Sequence, residues 1–268
     1  MTAHPPPRRS GTPRGPVVLK FGTGVLARQG GSALDRAQFR RIAGEVAGII
    51  DSGVPCVMVS SAAVAAGVAA LGFDKRPEDL PGKQACAAVG QPRLMRLYTE
   101  AFQRHGITVA QLLLTHGDID SRTRHANARN TLAKLLSVPR VVPIINENDS
   151  VAVEELRSGN NLIGDNDRLS AEVAVLVGAS RLVLLTSSDG LIDARGRRIR
   201  RVTDLASAFV HVRPDKGEFS VGGMATKLEA VGIALAAGIP ATIADGRRPG
   251  QIALAASGRD VGTRFMAS

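Results

Sequence analysis

Two lysines stand beside glycine-rich stretches far apart in the chain. Lys20 precedes Phe21-Gly22-Thr23-Gly24, and Lys227 closes the run Ser220-Val221-Gly222-Gly223-Met224-Ala225-Thr226-Lys227. Glycine lets backbone N–H groups approach an anion closely, and a helix N-terminus adds a favourable dipole. Either stretch alone also reads as a tight turn. Two lysines emerging from two such loops point further, to phosphoryl transfer, where positive charge must meet the transferring group. The chemistry is not that of a Walker A loop, because G-x-x-x-x-G-K-[ST] is absent, and no G-x-G-x-x-G follows a strand. A G-x-S-x-G elbow is also absent, and the five histidines show no metal-ligand spacing; His105, His116, His125 and His211 read as helix-face or loop residues.

Other polar residues gather in a recurring place. Asn146-Glu147-Asn148-Asp149 follows the apolar run Val141–Ile145, and Gly164-Asp165-Asn166-Asp167 opens a helical stretch. Ser60-Ser61-Ala62-Ala63 follows "VPCVMV", and Ser187-Ser188-Asp189-Gly190 follows "RLVLLT". Each reads singly as a solvated turn or a helix cap. With the two lysine loops they make six patches, which a parallel sheet would bring together at its strand ends, and open α/β sheets bind ligands beyond the carboxyl ends of their strands. Together they predict one site.

The elements that must position them alternate along the chain. "PVVLKF", "VPCVMVS", "ITVAQLLLT", "VVPII", "RLVLLT" and "PATIA" read as buried strands. Between them, residues 35–51 carry Phe39, Ile42, Val46, Ile49 and Ile50 at helical spacing, and "SAAVAAGVAALG", residues 83–105, "ANARNTLAKLLS", "DRLSAEVAVLVGA" and a segment from near Ala225 read as helices. Such alternation predicts an α/β fold, a three-layer αβα sandwich with a mainly parallel central sheet. No internal repeat or long linker divides it. Residues 1–15 are expected to form a disordered basic, proline-rich tail, and residues 16–268 a single domain.

Composition excludes several classes. With 44% hydrophobic residues over 268 positions the chain can build a core, which at 3% aromatics must rest on Val, Leu, Ile and Ala. No apolar run approaches the roughly 20 residues that span a bilayer, and the N-terminus lacks the apolar core of a secretory signal. A cytoplasmic protein with Cys56 and Cys86 as separate buried thiols is expected. The net charge of +10 raises nucleic-acid binding, with Arg195, Arg197, Arg198, Arg200 and Arg201 clustered. No aromatic residues interleave with them, so a solvated basic hairpin or loop is expected instead.

The stretches "VVLKFGTGVL", "VSSAAVAAG", "KQACAAVGQPRLM", "ARNTLAKLL", "VVPIINENDSVA", "GDNDRLSAEVA", "LLLTSSDGL" and "GGMATKLEAVGIALAAGI" resemble, in this order, the glutamate 5-kinases of the amino acid kinase family. The resemblance runs from about Val17 to Ala267, and INEND followed by GDND and GGM-x-TK is its most specific part. It implies the amino acid kinase fold, with an amino-acid-binding lobe over about 16–178 and a nucleotide-binding lobe over about 179–268. It implies ATP with Mg²⁺, no protein metal ligands, and phosphorylation of the γ-carboxylate of L-glutamate, the first step of proline biosynthesis. Lys20 and Lys227 are then expected at the ATP phosphates, with Asp167 orienting both lysines. No general base is needed, since a carboxylate acceptor is already ionised near neutral pH. Ser61, Asp149 and Asn166 are expected to bind glutamate. Gly22, Thr186, Ser187, Gly222, Gly223 and Met224 are expected to line the nucleotide. The family further implies a homo-oligomer (dimer or tetramer), inhibition by proline, and handover of the product to glutamyl-phosphate reductase. The RNA-binding-like PUA domain of many bacterial members is not in this sequence.

Four positions depart from the family pattern. Gly24 stands where serine is usual, Ala62 where glycine is usual, Ser187 where aspartate is usual, and Ser220-Val221 replaces Gly-Thr. A methyl at Ala62 is expected to disturb the turn or to force a positive φ, and Asp189 is the nearest carboxylate to replace the one lost at Ser187. Extra sequence also lies around "SGNNLI". Three readings stay open at this point: a glutamate 5-kinase, a related kinase with another carboxylate or phosphate acceptor, and a ligand-binding paralogue without turnover.

Overall fold

The computed structural model describes residues 15–28, 33–152, 166–212 and 223–266. Eight strands form one sheet in the order β3-β4-β2-β1-β5-β7-β8-β6. They are β1 (Val17–Phe21), β2 (Cys56–Ser60), β3 (Thr108–Leu114), β4 (Val141–Glu147), β5 (Arg181–Thr186), β6 (Arg201–Val202), β7 (Ala241–Asp245) and β8 (Thr263–Phe265). Every pairing is parallel except β7 with β8. The α/β class and the mainly parallel sheet are therefore as the sequence predicts.

Strand β1 lies in the middle and explains the layers. Side chains alternate across a strand, so Val17, Leu19 and Phe21 enter one core while Val18 enters the other. The first core is closed by the helices Arg36–Asp51, Leu80–Gln103 and Gln251–Ala256, through Phe39, Ile42, Leu94, Tyr98 and Ile252. The second is closed by Arg122–Ser137, Asn166–Leu176 and Met224–Ala236, through Leu132, Leu169, Val173, Leu228 and Val231. Burying each such large aliphatic group contributes roughly 1.5–3 kcal/mol. Lys20 shares the parity of Val18, so it faces the layer that holds Asn166–Leu176 and Met224–Ala236.

Three differences from the sequence reading have local causes. The helix predicted at 83–105 begins at Leu80, where the Asp79 side chain accepts from Gly82 N at 2.7 Å and proline occupies the first turn. Asn146 and Glu147 belong to β4 itself, and they are 1% and 5% exposed, not a solvated turn. The strands β6 and β8, two and three residues long, carry too little pattern to be read. Cys56 and Cys86 are free and buried, as expected. The arginine cluster forms a hairpin with an Ile192–Arg198 antiparallel bridge, and Asp193 accepts from Arg195 N and Arg197 N at 2.9 Å each. Among the described residues no helix is long and apolar enough to cross a membrane.

Candidate active site

Three charged side chains meet at the carboxyl end of β1. Lys20 Nζ lies 2.6 Å from Asp167 Oδ1, and Lys227 Nζ lies 3.1 Å from Asp167 Oδ2. Thr226 Oγ1 lies 3.0 Å from both Asp167 Oδ2 and Gly223 O, and its single proton can be donated to either. Exposure is 5% for Lys20, 2% for Asp167 and 7% for Lys227. Burial would raise the Asp167 carboxyl, but the two ammonium groups outweigh it and hold the carboxyl at about 2. One carboxylate facing two ammonium groups leaves a net positive charge at the strand ends, in a setting where little water screens it. Asp167 also lies in the first turn of Asn166–Leu176, where the helix dipole favours an anion.

The neighbouring residue, Asn166, joins this cluster to the end of β4. Asn166 Oδ1 accepts from Glu147 N at 3.3 Å, and Asn146 Oδ1 accepts from the same N–H at 3.0 Å. Asn146 Nδ2 in turn donates to Gln91 Oε1 at 2.8 Å. Asp149, half-buried, lies in the turn that Asn148 O closes by accepting from Val151 N and Ala152 N at 3.0 Å each. Ser61 follows β2, with its N–H donating to Phe21 O at 3.0 Å, so the ends of β1 and β2 are tied together. Behind it Ser60 Oγ and Tyr98 OH are 2.9 Å apart.

Ala62 adopts φ 83° and ψ 9°, the left-handed conformation that glycine takes without cost. The positive φ expected at this departure is therefore present. What holds it there is the next helix, Ala63–Ala70, which is locked against Leu80–Gln103. A methyl at Gly90 would collide with Ala63 O, and one at Gly67 with Cys86 O. Two backbones this close leave the strained residue no room to relax.

The other expected positions lie on the opposite side of Lys20. Gly22 caps the single-turn helix Thr23–Leu26 and donates its N–H to Leu185 O at 3.2 Å. Thr186 ends β5, and its carbonyl accepts from Gly246 N at 2.8 Å. Ser187 is exposed, and a Cβ at Gly24 would lie 3.4 Å from its Oγ, so two of the four departures are neighbours. Asp189 is engaged with arginines, 3.5 Å from Arg248 and 4.0 Å from Arg198. Gly223 precedes Met224 at the start of Met224–Ala236, and its carbonyl lies 3.5 Å from Lys227 Nζ. Gly222, Ser220, Val221 and the "SGNNLI" segment lie outside the described residues.

The structure thus gathers Lys20, Asp167 and Lys227, sets Asn166 against β4, and places Ser61, Asp149, Gly22, Thr186, Ser187, Gly223 and Met224 at or beside the same strand ends. Sequence reading missed Gln91 and Tyr98, which support the site from behind. The only signal for either was a polar group on an otherwise apolar helix face. It also left His116 without a partner, whereas Nδ1 lies 3.0 Å from Glu172 Oε2, on the helix that carries Asp167. Among the described residues no three His, Cys, Asp or Glu side chains converge as a metal site would require.

Known proteins resemble this chain in sequence and in fold. The pattern of the amino acid kinase family matches residues 15–245. The glutamate 5-kinase of Moorella thermoacetica is 42% identical over 93% of this chain and 66% of its own length. That of Thermus thermophilus is 44% identical over 94% of this chain and 67% of its own. The chain thus spans about two thirds of the length of these curated relatives. Among solved structures, a UMP kinase from Bacillus anthracis superposes with a TM-score of 0.62 at 15% identity, covering 96% of this chain and 98% of that one. A protein from Aeropyrum pernix K1 superposes with a TM-score of 0.66 at 18% identity, covering 94% and 99%. These two likenesses concern the fold alone; the family match and the sequence relatives place the chain in the amino acid kinase family, on the side of its glutamate 5-kinases.

Proposed function

We propose that the chain transfers the terminal phosphoryl group of ATP to the γ-carboxylate of L-glutamate, forming L-glutamyl 5-phosphate for proline biosynthesis. The observation that carries this reading is the buried Lys20–Asp167–Lys227 cluster, joined through Asn166 to the end of β4. A γ-carboxylate oxygen attacks the terminal phosphorus, and the bond from that phosphorus to the bridging oxygen breaks as ADP leaves. No proton moves, which suits a site whose central carboxylate, Asp167, is held ionised. Lys20 and Lys227 offset charge on the transferring group and its leaving oxygen. Asp167 keeps both ammonium groups aimed, and Thr226 steadies the carboxylate.

Asp149 and Asn166, with Ser61, read the amino acid, Asp149 taking its ammonium group. Gly22, Thr186, Ser187, Gly222, Gly223 and Met224 surround the nucleotide. The amino-acid lobe then covers about 16–178 and the nucleotide lobe about 179–268. Mg²⁺ would be held by ATP rather than by the protein cluster, which offers cations and not grouped carboxylates, and it would offset phosphate charge there. A cytoplasmic homo-oligomer, inhibition by proline, and delivery of the labile acyl phosphate to glutamyl-phosphate reductase belong to the same reading.

The test is glutamate-dependent ADP release with hydroxylamine present to trap the acyl phosphate. A γ-glutamyl hydroxamate is expected. ADP binding without any trapped product would refute glutamate as the acceptor.

A further inference from the structure

The turn that follows Lys20 is poorly equipped to hold its own shape. Thr23–Leu26 is a single helical turn flanked or interrupted by Gly22 and Gly24. A helix this short does not sustain itself, glycine adds conformational freedom, and the last carbonyls of any helix lack internal partners. Yet this turn lies against the reacting cluster: a Cβ at Gly22 would be 3.7 Å from Lys20 Nζ.

Two carbonyls here, those of Gly24 and Ala27, are satisfied from the loop after β7. Arg247 donates through one terminal nitrogen to Gly24 O at 2.9 Å and through the other to Ala27 O at 2.9 Å, with a further contact to Ala27 O at 3.4 Å. The planar guanidinium fork holds two carbonyls at a fixed spacing, whereas a lysine would reach them from one nitrogen on a flexible stem. Arg247 is itself held, since its N–H donates to Asp245 Oδ1 at 2.8 Å. The neighbouring Gly246 donates to Thr186 O and accepts from Arg41 on the Arg36–Asp51 helix. There is no space for a side chain at 246, where a Cβ would come within 2.9 Å of Leu185 Cβ and 3.0 Å of Val25 Cγ2. Arg41 pairs with Glu45, whose second oxygen accepts from Ile252 N at 3.1 Å. The β7 loop is thus fixed on three sides and pressed onto the turn.

We propose that Arg247 is a positioning residue for nucleotide binding, fixing the Gly22–Gly24 turn through the carbonyls of Gly24 and Ala27. This rests on the kinase reading in placing the phosphates at that turn. With Arg247 in place the backbone N–H groups are ordered before the nucleotide arrives. Without it, binding must also order the turn, and the loss falls on nucleotide affinity.

The test compares wild type, Arg247→Lys and Arg247→Met by calorimetry with ADP and Mg²⁺, and by steady-state turnover of glutamate. The Met variant is expected to bind ADP about tenfold more weakly and the Lys variant to fall between, with the glutamate KM changed by less than about twofold. Unchanged ADP affinity in a folded Met variant overturns the proposal, as does equal weakening toward both substrates. If the Met variant fails to fold, a folded Lys variant with wild-type ADP affinity overturns it. A wild-type chain that binds ADP yet makes no glutamyl phosphate refutes the glutamate reading alone, and the ADP comparison still decides the role of Arg247.

Discussion

Replacing Asp167 by asparagine keeps the shape of the side chain and removes its charge, so the variant isolates what the carboxylate does for the two lysines. In the folded chain the group is 2% exposed, 2.6 Å from Lys20 Nζ and 3.1 Å from Lys227 Nζ. Asparagine leaves two buried ammonium groups without the carboxylate they share. Removing one partner of a buried ion pair costs about 3–5 kcal/mol, so Asp167→Asn is expected to be less stable by that amount at neutral pH. Turnover is expected to fall by about 10²- to 10³-fold, the scale for losing one preorganised electrostatic element.

The acid limb gives a second, independent reading. The Asp167 carboxyl is held at about 2 in the folded chain, against 3.8 for the ordinary group. A depressed folded value means the contribution is fully present above pH 3.8 and is lost as the pH falls through about 2. The shift is worth about 2 kcal/mol. In urea titrations the gap between wild type and Asp167→Asn should be constant from pH 7 to pH 5. It should then narrow by about 2 kcal/mol toward pH 2. A gap that does not change with pH, or turnover within about threefold of wild type, would refute the argument that this carboxylate organises both lysines.

Other substitutions probe the remaining parts. Asp149→Ala should raise the glutamate KM by at least about tenfold, one lost charge-assisted contact, with little change in the ATP KM; equal changes in both would remove Asp149 from the acceptor side. Ala62→Gly should raise stability by about 0.5–1 kcal/mol, because glycine accepts φ 83° without the steric cost that alanine carries there. A lower unfolding midpoint would show that the methyl's buried contacts outweigh the strain. His116→Gln should flatten the stability profile above pH 6.5. The hydrogen bond to Glu172 raises the imidazole above its ordinary 6.5, against the opposing effect of burial, and the nearby Glu147 adds to it while Arg168 opposes it. Its contribution is therefore fully present below pH 6.5 and lost as the pH rises through the elevated value. Parallel wild-type and variant profiles between pH 6 and 9 would refute it.

How much of this was legible in the sequence depends on the range of each cause. The strand "VVLKF" could be read because its neighbours on both faces are apolar, and the single lysine in it stood out. Asn166–Leu176 could be read because Leu169, Val173 and Leu176 repeat at helical spacing. The left-handed turn at Ala62 could be anticipated, since only a backbone that demands glycine makes alanine a problem. The meeting of Lys20 with Asp167 had no local cause. It follows from β1 lying between β2 and β5, with Lys20 on the face that Asn166–Leu176 covers. Gln91 and Arg247 were hidden for a similar reason, as each acts through a backbone or an amide brought close by the sheet order. The short strands β6 and β8 were hidden because two or three residues show no period.

One helical turn carries much of the site's geometry. Asn166 and Asp167 are consecutive, so their side chains diverge by about 100° around the helix. One faces the end of β4 while the other faces the lysines. Under the kinase reading, the distance between acceptor and phosphate is then set by a single peptide unit and not by the meeting of two loops. That unit is anchored by Leu169, Val173 and Leu176 in the core, and by Glu172 to His116. Phosphoryl transfer depends on positioning far more than on acid–base chemistry. A disturbance that shifts this helix should therefore misplace both substrates together, whereas one at Asp149 or Arg247 should separate them.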